Sequence, residues 1–481
     1  MNDNKTDVTA LQKAFNVEDF RKNAHEIVDV LCNHLQQTQS NNIKVFDYVK
    51  PDEEYQFWAQ GFEQQENIAT VFQKILDRSI NLHHPHYIGH QVSAPALISG
   101  LGSLISSIMS NGSAVYEMGK ANTAIEKVIC DWLSKAIGFK QGGGFLTSGG
   151  TLANLTALLA ARRHYKTEDV WKDGHAKALG IMVSNQAHYC VDRAARIMGL
   201  GKKGIIKLAV DEQFKVKTNL LDDALEQAKA NGITVIALVG SACTTATGSF
   251  DDLEAMAAFA KANNLWFHVD GAHGGPSALS KKYKHLVKGI AQADSVVIDF
   301  HKMMLSPALT TALLFKNEEQ SFGTFQQKAD YLWNSETANE WHQAGKRTFE
   351  CTKLMMAPKI YFIIKAYGIK IFEENINYLY DLAKVLSDKI KAHPNFELLM
   401  MPACNIVNFR YVNTTKDLNK INQNIRQSLV EAGEFYIVQT TLNDNVYLRC
   451  TIMNPLTKAD TFTHLLKHIE ELAKALIIMN K

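Results

Sequence analysis

The chain of 481 residues has little proline, and its charges nearly cancel. Nine prolines and 28 glycines make no low-complexity linker. Hydrophobic residues at 46% and charged residues at 21% argue against a disordered chain. Lys and Arg number 51 and Asp and Glu 49, so the formal net charge is only +2. We therefore expect neither nucleic acid nor an anionic membrane as a partner.

Cysteine pairs and long apolar runs are also absent from the sequence. The seven cysteines are scattered and form no CxxC pair, which argues against a disulfide framework or a zinc ribbon. The amino-terminal stretch MNDNKTDVTALQKAF lacks the apolar segment of a secretory signal. No apolar run approaches the ~20 residues that span a bilayer. These absences predict a cytoplasmic protein.

Three parts of the chain differ in pattern. Residues 1–80 are predicted to be a helical N-terminal segment that serves as a dimer arm. Its apolar stripe at helical spacing consists of Phe20, Ala24, Ile27, Val28, Leu31 and Leu35. Residues 81–355 are predicted to form a large α/β domain, and residues 356–481 a small α+β domain.

The large domain alternates short apolar runs with helical segments. The runs GGFLTS, LGIMVSN, IIKLAV, TVIALVGS, LWFHVDG and SVVIDF are typical of buried parallel strands. Because ligands of parallel α/β sheets gather beyond the carboxyl ends of the strands, the residues that follow these runs are the candidates for a site.

A glycine turn follows the first run, at Ser148–Thr151, with Asn154 one helical turn later. Glycines at a strand-to-helix turn let backbone N–H groups approach an anion at the helix N-terminus. An ordinary tight turn with an N-cap explains the same residues. The segment matches neither a dinucleotide-binding nor a P-loop pattern.

Lys302 and Asp270 each follow a buried strand. A lysine held there is expected to have a lowered pKa and to act as an imine-forming nucleophile, although a surface lysine fits as well. A carboxylate at that depth needs a positive partner, and a salt bridge or helix cap is the alternative for Asp270. An anion cradle, an imine-forming lysine and a buried aspartate together are what pyridoxal phosphate requires.

Six ordered motifs carry a resemblance to a known family. They are HP-x-Y at 84–87, TSGGTLAN at 147–154, NQAHYCVDRA at 185–194, HVDGAHGG at 268–275, DFHK at 299–302 and LRCTIMNP at 448–455. The chain resembles the group II pyridoxal-phosphate decarboxylases, which act on aromatic amino acids, glutamate, cysteine sulfinate or diaminobutyrate. The chain has His273 where many members have tyrosine or tryptophan.

The resemblance implies a fold-type I enzyme, with a mostly parallel seven-stranded sheet between helices in the large domain. It implies that Lys302 forms the imine with the cofactor, that Asp270 pairs with the ring nitrogen and that His188 stacks on the ring. The cofactor-binding residues that it implies are Gly150, Thr151, Asn154, His188, Thr245, Asp270, Ala272, Asp299, His301 and Lys302. Of these, Gly150, Thr151 and Asn154 are expected to hold the phosphate.

The resemblance also implies substrate contacts and a shared site. Arg449 is expected to bind the α-carboxylate of an L-amino acid, and His86 and Tyr87 to line the entrance. Tyr331 in KADYLWNSE matches the mobile-loop tyrosine that protonates the product and favours an amine over an aldehyde. In a homodimer this tyrosine is expected to reach the neighbouring subunit's site.

The sequence is compatible with several substrates and reactions. An aromatic substrate is narrowly favoured over glutamate-like acids and diamino acids. Other reactions of the same cofactor are an aldehyde synthase, an aminotransferase or a carbon–sulfur lyase, and a non-enzymatic scaffold is a third possibility. The histidines at 83, 84, 86 and 90 are interrupted by Pro85 and Gly89, so we expect no metal site.

Overall fold

The structure is a computed structural model that describes residues 9–165, 169–325, 340–415 and 417–479. The helices in these ranges are α1 Ala10–Lys13, α2 Val17–Gln39, α3 Pro51–Ala59, α4 Ile68–Asp77, α5 Leu97–Met109, α6 Tyr116–Ala136, α7 Gly150–His164, α8 Val170–Asp173, α9 Tyr189–Ile197, α10 Leu221–Ala230, α11 Leu253–Ala262, α12 Ala357–Tyr367, α13 Lys370–Ala392, α14 Leu418–Ala432 and α15 Ala459–Met479. The strands are β1 Gly143–Thr147, β2 Ala178–Ser184, β3 Ile205–Leu208, β4 Ile233–Ser241, β5 Trp266–Asp270, β6 Ser295–Asp299, β7 Thr311–Phe315, β8 Phe396–Leu398, β9 Ile406–Tyr411, β10 Val438–Leu442 and β11 Asn445–Thr451.

The large sheet has seven strands in the order β1-β7-β6-β5-β4-β2-β3. All neighbours pair in parallel except β7, which runs antiparallel to both β1 and β6. This confirms the predicted α/β class with a mostly parallel seven-stranded sheet. Six of the strands coincide with the apolar runs of the sequence, whereas the run TALLF of β7 was not predicted as a strand.

Helices cover both faces of this sheet, which explains why its strands are continuously apolar. Strands β1 and β6 are buried along their whole length. On one face α7 and α9 pack in a cluster with Val183, Val239 and Val297. On the other face a larger cluster contains residues of α6, α10, α11 and α13 and continues into the C-terminal part of the chain. Parallel strands of this kind need apolar side chains on both faces.

The C-terminal part is a four-stranded antiparallel sheet, in the order β10-β11-β9-β8, with helices beside it. Two helices, α12 and α13, precede this sheet along the chain and are separated at Gly368, whose φ is +74°. Glycine adopts this left-handed conformation without strain, so α12 ends here. Residues before the large sheet reach this unit: the N–H of Thr451 donates to the Ile88 carbonyl at 2.8 Å, and the N–H of Val45 to the Gly433 carbonyl at 3.0 Å.

Among the described helices, none is both long enough and apolar enough to cross a lipid bilayer.

Candidate active site

The carboxyl ends of β1, β2, β4, β5 and β6 meet at one edge of the large sheet and surround a cavity of about 290 Å³. All of the predicted cofactor-binding residues line this cavity: Gly150, Thr151, Asn154, His188, Thr245, Asp270, Ala272, Asp299, His301 and Lys302. The topology explains the convergence, because consecutive parallel strands deliver their following loops to the same edge.

One wall of the cavity is the N-terminus of α7. Gly149 precedes the helix with a φ of +114°, a conformation that L side chains rarely adopt. No side chain caps this helix, so its first N–H groups face the cavity without an intrahelical partner. Together with the Thr151 hydroxyl they make a cradle for an anion such as a phosphate.

Lys302 also lines the cavity and forms an ion pair with Asp299, with Nζ 3.1 Å from Oδ2. Asp299 is buried and also accepts a hydrogen bond from the Thr311 hydroxyl. Burial by itself lowers the pKa of Lys302, but Asp299 and Asp270 outweigh burial and raise that pKa. The predicted lowering of the lysine pKa is therefore wrong for this arrangement, because two carboxylates accompany the amine.

Asp270 is held by a chain of hydrogen bonds that starts in α7. Asn154 Nδ2 donates to Asp270 Oδ2 at 3.1 Å, and its Oδ1 accepts from His268 Nε2 at 2.7 Å. His268 Nδ1 and Ser295 Oγ are 2.8 Å apart, and Trp266 Nε1 donates to the same hydroxyl. Because the Asn154 amide nitrogen donates to the carboxylate, the Asn154 oxygen accepts from His268 Nε2. His268 Nδ1 therefore accepts from the Ser295 hydroxyl.

This chain also determines the charge of the buried imidazole. Burial lowers the pKa of His268 to about 4, although Asp270 opposes the shift. His268 is therefore neutral near pH 7, and it positions Asn154 without adding a positive charge behind the carboxylate. His268 was not predicted to be a functional residue, and the phosphate-binding role of Asn154 stays a prediction.

His188 faces the cavity from the start of α9. Its Nδ1 accepts a hydrogen bond from the Cys190 N–H at 3.3 Å, so the ring caps the helix. Burial lowers the pKa of His188 more than the nearby Asp270 raises it. A neutral imidazole in this position can stack on a planar ligand, as the sequence predicts.

Arg449 is buried in β11 and is not among the residues that line this cavity. Its Nε has no hydrogen-bond partner, and its guanidinium forms no ion pair with a residue that the structure describes. Burial lowers the pKa of this arginine. A buried guanidinium without an anion is expected to bind one, and a substrate carboxylate suits it.

His86 and Tyr87 do not line the cavity. His86 stacks on Phe435 with ring centroids 4.1 Å apart, and Tyr87 stacks on Tyr436 at 5.4 Å. Farther along the same segment, the Ser93 N–H donates to the His301 carbonyl at 3.5 Å. The segment thus connects the C-terminal unit to the loop of Lys302, and the predicted substrate contacts of His86 and Tyr87 stay a prediction.

Tyr331 lies outside the described residues.

A larger cavity of about 760 Å³ lies at the other end of β4 and β5, where Ile233 and Trp266 line it. The volume of a cavity therefore does not identify the active site. The convergence of charged groups on the smaller cavity identifies it.

A family model described as the pyridoxal-dependent decarboxylase conserved domain matches residues 49–412. The chain belongs to this family. Membership identifies the protein as a pyridoxal-phosphate-dependent enzyme of the amino-acid decarboxylase class, as the sequence motifs predicted.

Curated relatives of this decarboxylase cover most of its length. It is 24% identical to an aromatic-L-amino-acid decarboxylase from Bacillus atrophaeus, in an alignment that covers 96% of this chain and 97% of that protein. It is 28% identical to an aspartate 1-decarboxylase from Aliivibrio fischeri, over 85% of this chain and 83% of that protein. The solved structure of mouse CSAD in apo form has a TM-score of 0.89 at 22% identity, over 95% of this chain and 99% of that chain, and shares its fold.

The residues of the cavity fit the cofactor of the family. The uncapped helix N-terminus suits the phosphate, the Lys302 amine suits the aldehyde, and Asp270 suits the ring nitrogen. Two further lining residues, Cys243 and His273, were not predicted as site residues. Cys243 follows β4 and His273 follows β5, and these positions in the sequence are the signal that could have identified both residues.

Proposed function

We propose that this decarboxylase converts an aromatic L-amino acid to the corresponding amine and carbon dioxide. The observation that carries the reaction is the convergence of Lys302, Asp270 and the α7 N-terminus on one cavity. When bound there, pyridoxal phosphate supplies an electron sink for the electrons that the departing carboxylate leaves behind.

The residues of the chain supply binding and proton positions. Lys302 would hold the cofactor through its aldehyde, and Asp270 would keep the ring nitrogen protonated. Gly150 and Thr151 would hold the phosphate, and His188 and Ala272 would contact the ring. All six residues line the cavity.

Two roles concern the substrate. Arg449 binds the α-carboxylate, and the proposal is supported by its buried Nε, which has no hydrogen-bond partner among the described residues. The Tyr331 hydroxyl delivers a proton to the α-carbon after carbon dioxide leaves, which makes the product an amine. This second role rests on the sequence motif alone.

The charges of the cavity support a neutral substrate side chain. Among the described lining residues, Lys302 is the one lysine or arginine, and Asp299 already pairs with it. An acidic side chain would need a second cation. Asp270 accepts a hydrogen bond from Asn154, and Asp299 pairs with Lys302. Neither carboxylate is therefore available to pair with the side-chain amine of a diamino acid.

We also propose a homodimer with shared active sites. Helix α5 has a largely apolar exposed face, formed by Leu97, Leu101, Leu104, Ile105, Ile108 and Met109. In the N-terminal arm, Leu11, Phe15 and Phe20 are exposed as well. Apolar surface of this extent favours a protein partner.

The position of α5 relates this face to the active site. Ser106 of α5 lines a second cavity together with Ser148 and Leu309. Ser148 and Leu309 also line the candidate active site. A second copy packed on α5 would therefore lie near the cofactor cavity.

The test is a measurement of carbon dioxide, amine and aldehyde from cofactor-loaded protein with a panel of L-amino acids. We expect stoichiometric carbon dioxide and amine from tryptophan, tyrosine or dihydroxyphenylalanine. The Lys302→Ala variant should lose turnover by at least ~10³-fold. Turnover of acidic or diamino substrates alone would contradict the substrate proposal. Aldehyde in place of amine, or product without carbon dioxide, would contradict the reaction.

A further inference from the structure

Three buried side chains from distant parts of the chain meet beside the cofactor cavity. Cys243 lies after β4, His273 lies after β5, and Cys404 precedes β9 in the C-terminal unit. Their exposed fractions are 8%, 2% and 1%. One ligand atom from each lies within 4.8 Å of the other two. Two thiols and an imidazole in this arrangement are the ligand types that zinc and other thiophilic metals prefer.

The sulfur separation matches a shared metal ion. Cys243 Sγ and Cys404 Sγ are 3.7 Å apart. Two thiolates at about 2.3 Å from one tetrahedral Zn²⁺ are about 3.8 Å apart. A disulfide needs the same atoms at about 2.05 Å, so oxidation would require the two loops to move together.

One ring nitrogen of His273 is engaged with Asn405, which leaves the other nitrogen as a potential metal ligand. Asn405 Nδ2 donates to the Ile452 carbonyl at 2.8 Å, so Asn405 Oδ1 is the acceptor for His273 Nε2–H at 2.7 Å. His273 Nδ1 then carries a lone pair, and it is buried without a hydrogen-bond partner among the described residues. Metal-binding histidines are commonly oriented in this way, with the second ring nitrogen donating to an oxygen.

We propose that Cys243, His273 and Cys404 form a binding site for a thiophilic metal ion, with Zn²⁺ as the expected occupant. Two thiolates neutralise a divalent ion, which suits a buried position. Because Cys243 and His273 also line the cofactor cavity, the fourth coordination position is open to water or a ligand from that side. This site differs from the histidine segment at 83–90 that the sequence analysis considered.

The ion would join the two folded units of the chain. Cys404 belongs to the C-terminal unit, whereas the loops of Cys243 and His273 also carry Thr245 and Ala272 of the cofactor cavity. Metal binding is therefore expected to stabilise the contact between the units, in addition to the decarboxylase chemistry. The proposal does not depend on the identity of the amino-acid substrate.

The first experiment measures zinc in the cofactor-loaded protein. The protein is stripped with a chelator, equilibrated with Zn²⁺, freed of excess ion and analysed for metal per chain. We expect about one Zn²⁺ per wild-type chain, and a loss of at least ~10-fold in affinity for Cys404→Ser and for His273→Gln. The control is Cys351→Ser, which replaces an exposed free cysteine and should keep the ion. Absence of retained zinc in the wild type, or equal retention in Cys404→Ser, would overturn the proposal.

A second measurement needs no variant and so does not depend on variant folding. Co²⁺ bound by two thiolates and an imidazole in tetrahedral geometry gives intense visible d–d bands, at longer wavelength than the cofactor absorbs. We expect these bands on adding Co²⁺ to the stripped wild type, and their displacement by Zn²⁺. Weak octahedral bands alone would overturn the site. Intact-mass and thiol analysis that found a Cys243–Cys404 disulfide in place of metal would overturn it as well.

Discussion

The carboxylate proposed to face the cofactor, Asp270, depends on a side chain from another element. Asn154 in α7 donates to it, and His268 in turn donates to Asn154. Asn154 is therefore positioned to orient the carboxylate, whereas the family resemblance implies a role in phosphate binding. These two roles predict different kinetic effects.

The Asn154→Ala variant separates the two roles. Loss of one hydrogen bond to a charged group is worth about 1.5–3 kcal/mol, so we expect kcat to fall about 10-fold or more at saturating cofactor. The dissociation constant of the cofactor should change little. Kinetics and cofactor titration check both values. An unchanged kcat with much weaker cofactor binding would support the phosphate role and contradict the positioning role.

The free energy of unfolding is expected to depend on pH through His268. The folded protein has a pKa of about 4 at this histidine, below the ordinary value of 6.5. Between these values the unfolded chain binds more protons, so the stabilising contribution is present above about pH 6.5 and is lost as the pH falls toward 4. For this group the loss between about pH 7.5 and about pH 5 is about 2 kcal/mol.

Denaturant unfolding of the wild type and of His268→Gln at these two pH values checks the prediction. The variant should lose about 2 kcal/mol less than the wild type on acidification. His285→Gln, at an exposed histidine, is the matched control and should behave as the wild type does. Equal acid sensitivity of the wild type and His268→Gln would contradict the assignment.

At the scale of elements, a buried ion pair ties three parts of the large domain together. Lys353, which precedes α12, forms an ion pair with Glu126 of α6, and both side chains are buried. Lys353 Nζ also donates to the Leu146 carbonyl in β1 at 2.7 Å, and the Leu146 N–H donates to Glu126 at 3.1 Å. The pair thus fixes β1, whose following loop is the phosphate cradle.

Breaking this pair should be strongly destabilising. Glu126→Ala leaves the Lys353 ammonium buried without its anion, and we expect a loss of about 3–5 kcal/mol in the free energy of unfolding. The double variant Glu126→Leu with Lys353→Met should recover part of that loss. Glu471→Ala in the exposed pair with Lys467 is the control and should change stability by less than about 1 kcal/mol. If Glu126→Ala were as stable as the wild type, the proposed role of the ion pair would be contradicted.

At the scale of the whole molecule, the exposed apolar face of α5 predicts association. Leu101 is 49% exposed in the centre of that face. The Leu101→Glu variant would place a charge in the proposed interface, which should shift the protein from dimer to monomer. Leu220→Glu, at a leucine that is 37% exposed elsewhere, is the matched control. Light scattering measures both masses. A monomeric wild type, or a dimeric Leu101→Glu, would contradict the proposed interface.

The sequence predicted the α/β class, and six strands of the large sheet, because buried parallel strands have an unmistakable apolar pattern. It did not predict β7, whose run TALLF follows β6 after the connection at 300–310 and pairs antiparallel. A short run of this kind, a threonine and four apolar residues, fits a strand or a buried helix equally, and only pairing decides between them. Cytoplasmic location and the domain boundaries stay predictions.

The order of residues along the chain is enough to identify which side chains follow the strands. In a parallel sheet these side chains meet at the carboxyl edge, so the location of the site follows from the sequence. The pairing and the charge state of those residues depend instead on how distant segments pack. Asp299 raises the pKa of Lys302, and Asn154 reaches Asp270 across 116 positions of sequence. The Cys243, His273 and Cys404 cluster likewise depends on how the C-terminal unit packs, because long-range contacts of single side chains leave no periodic pattern in the sequence.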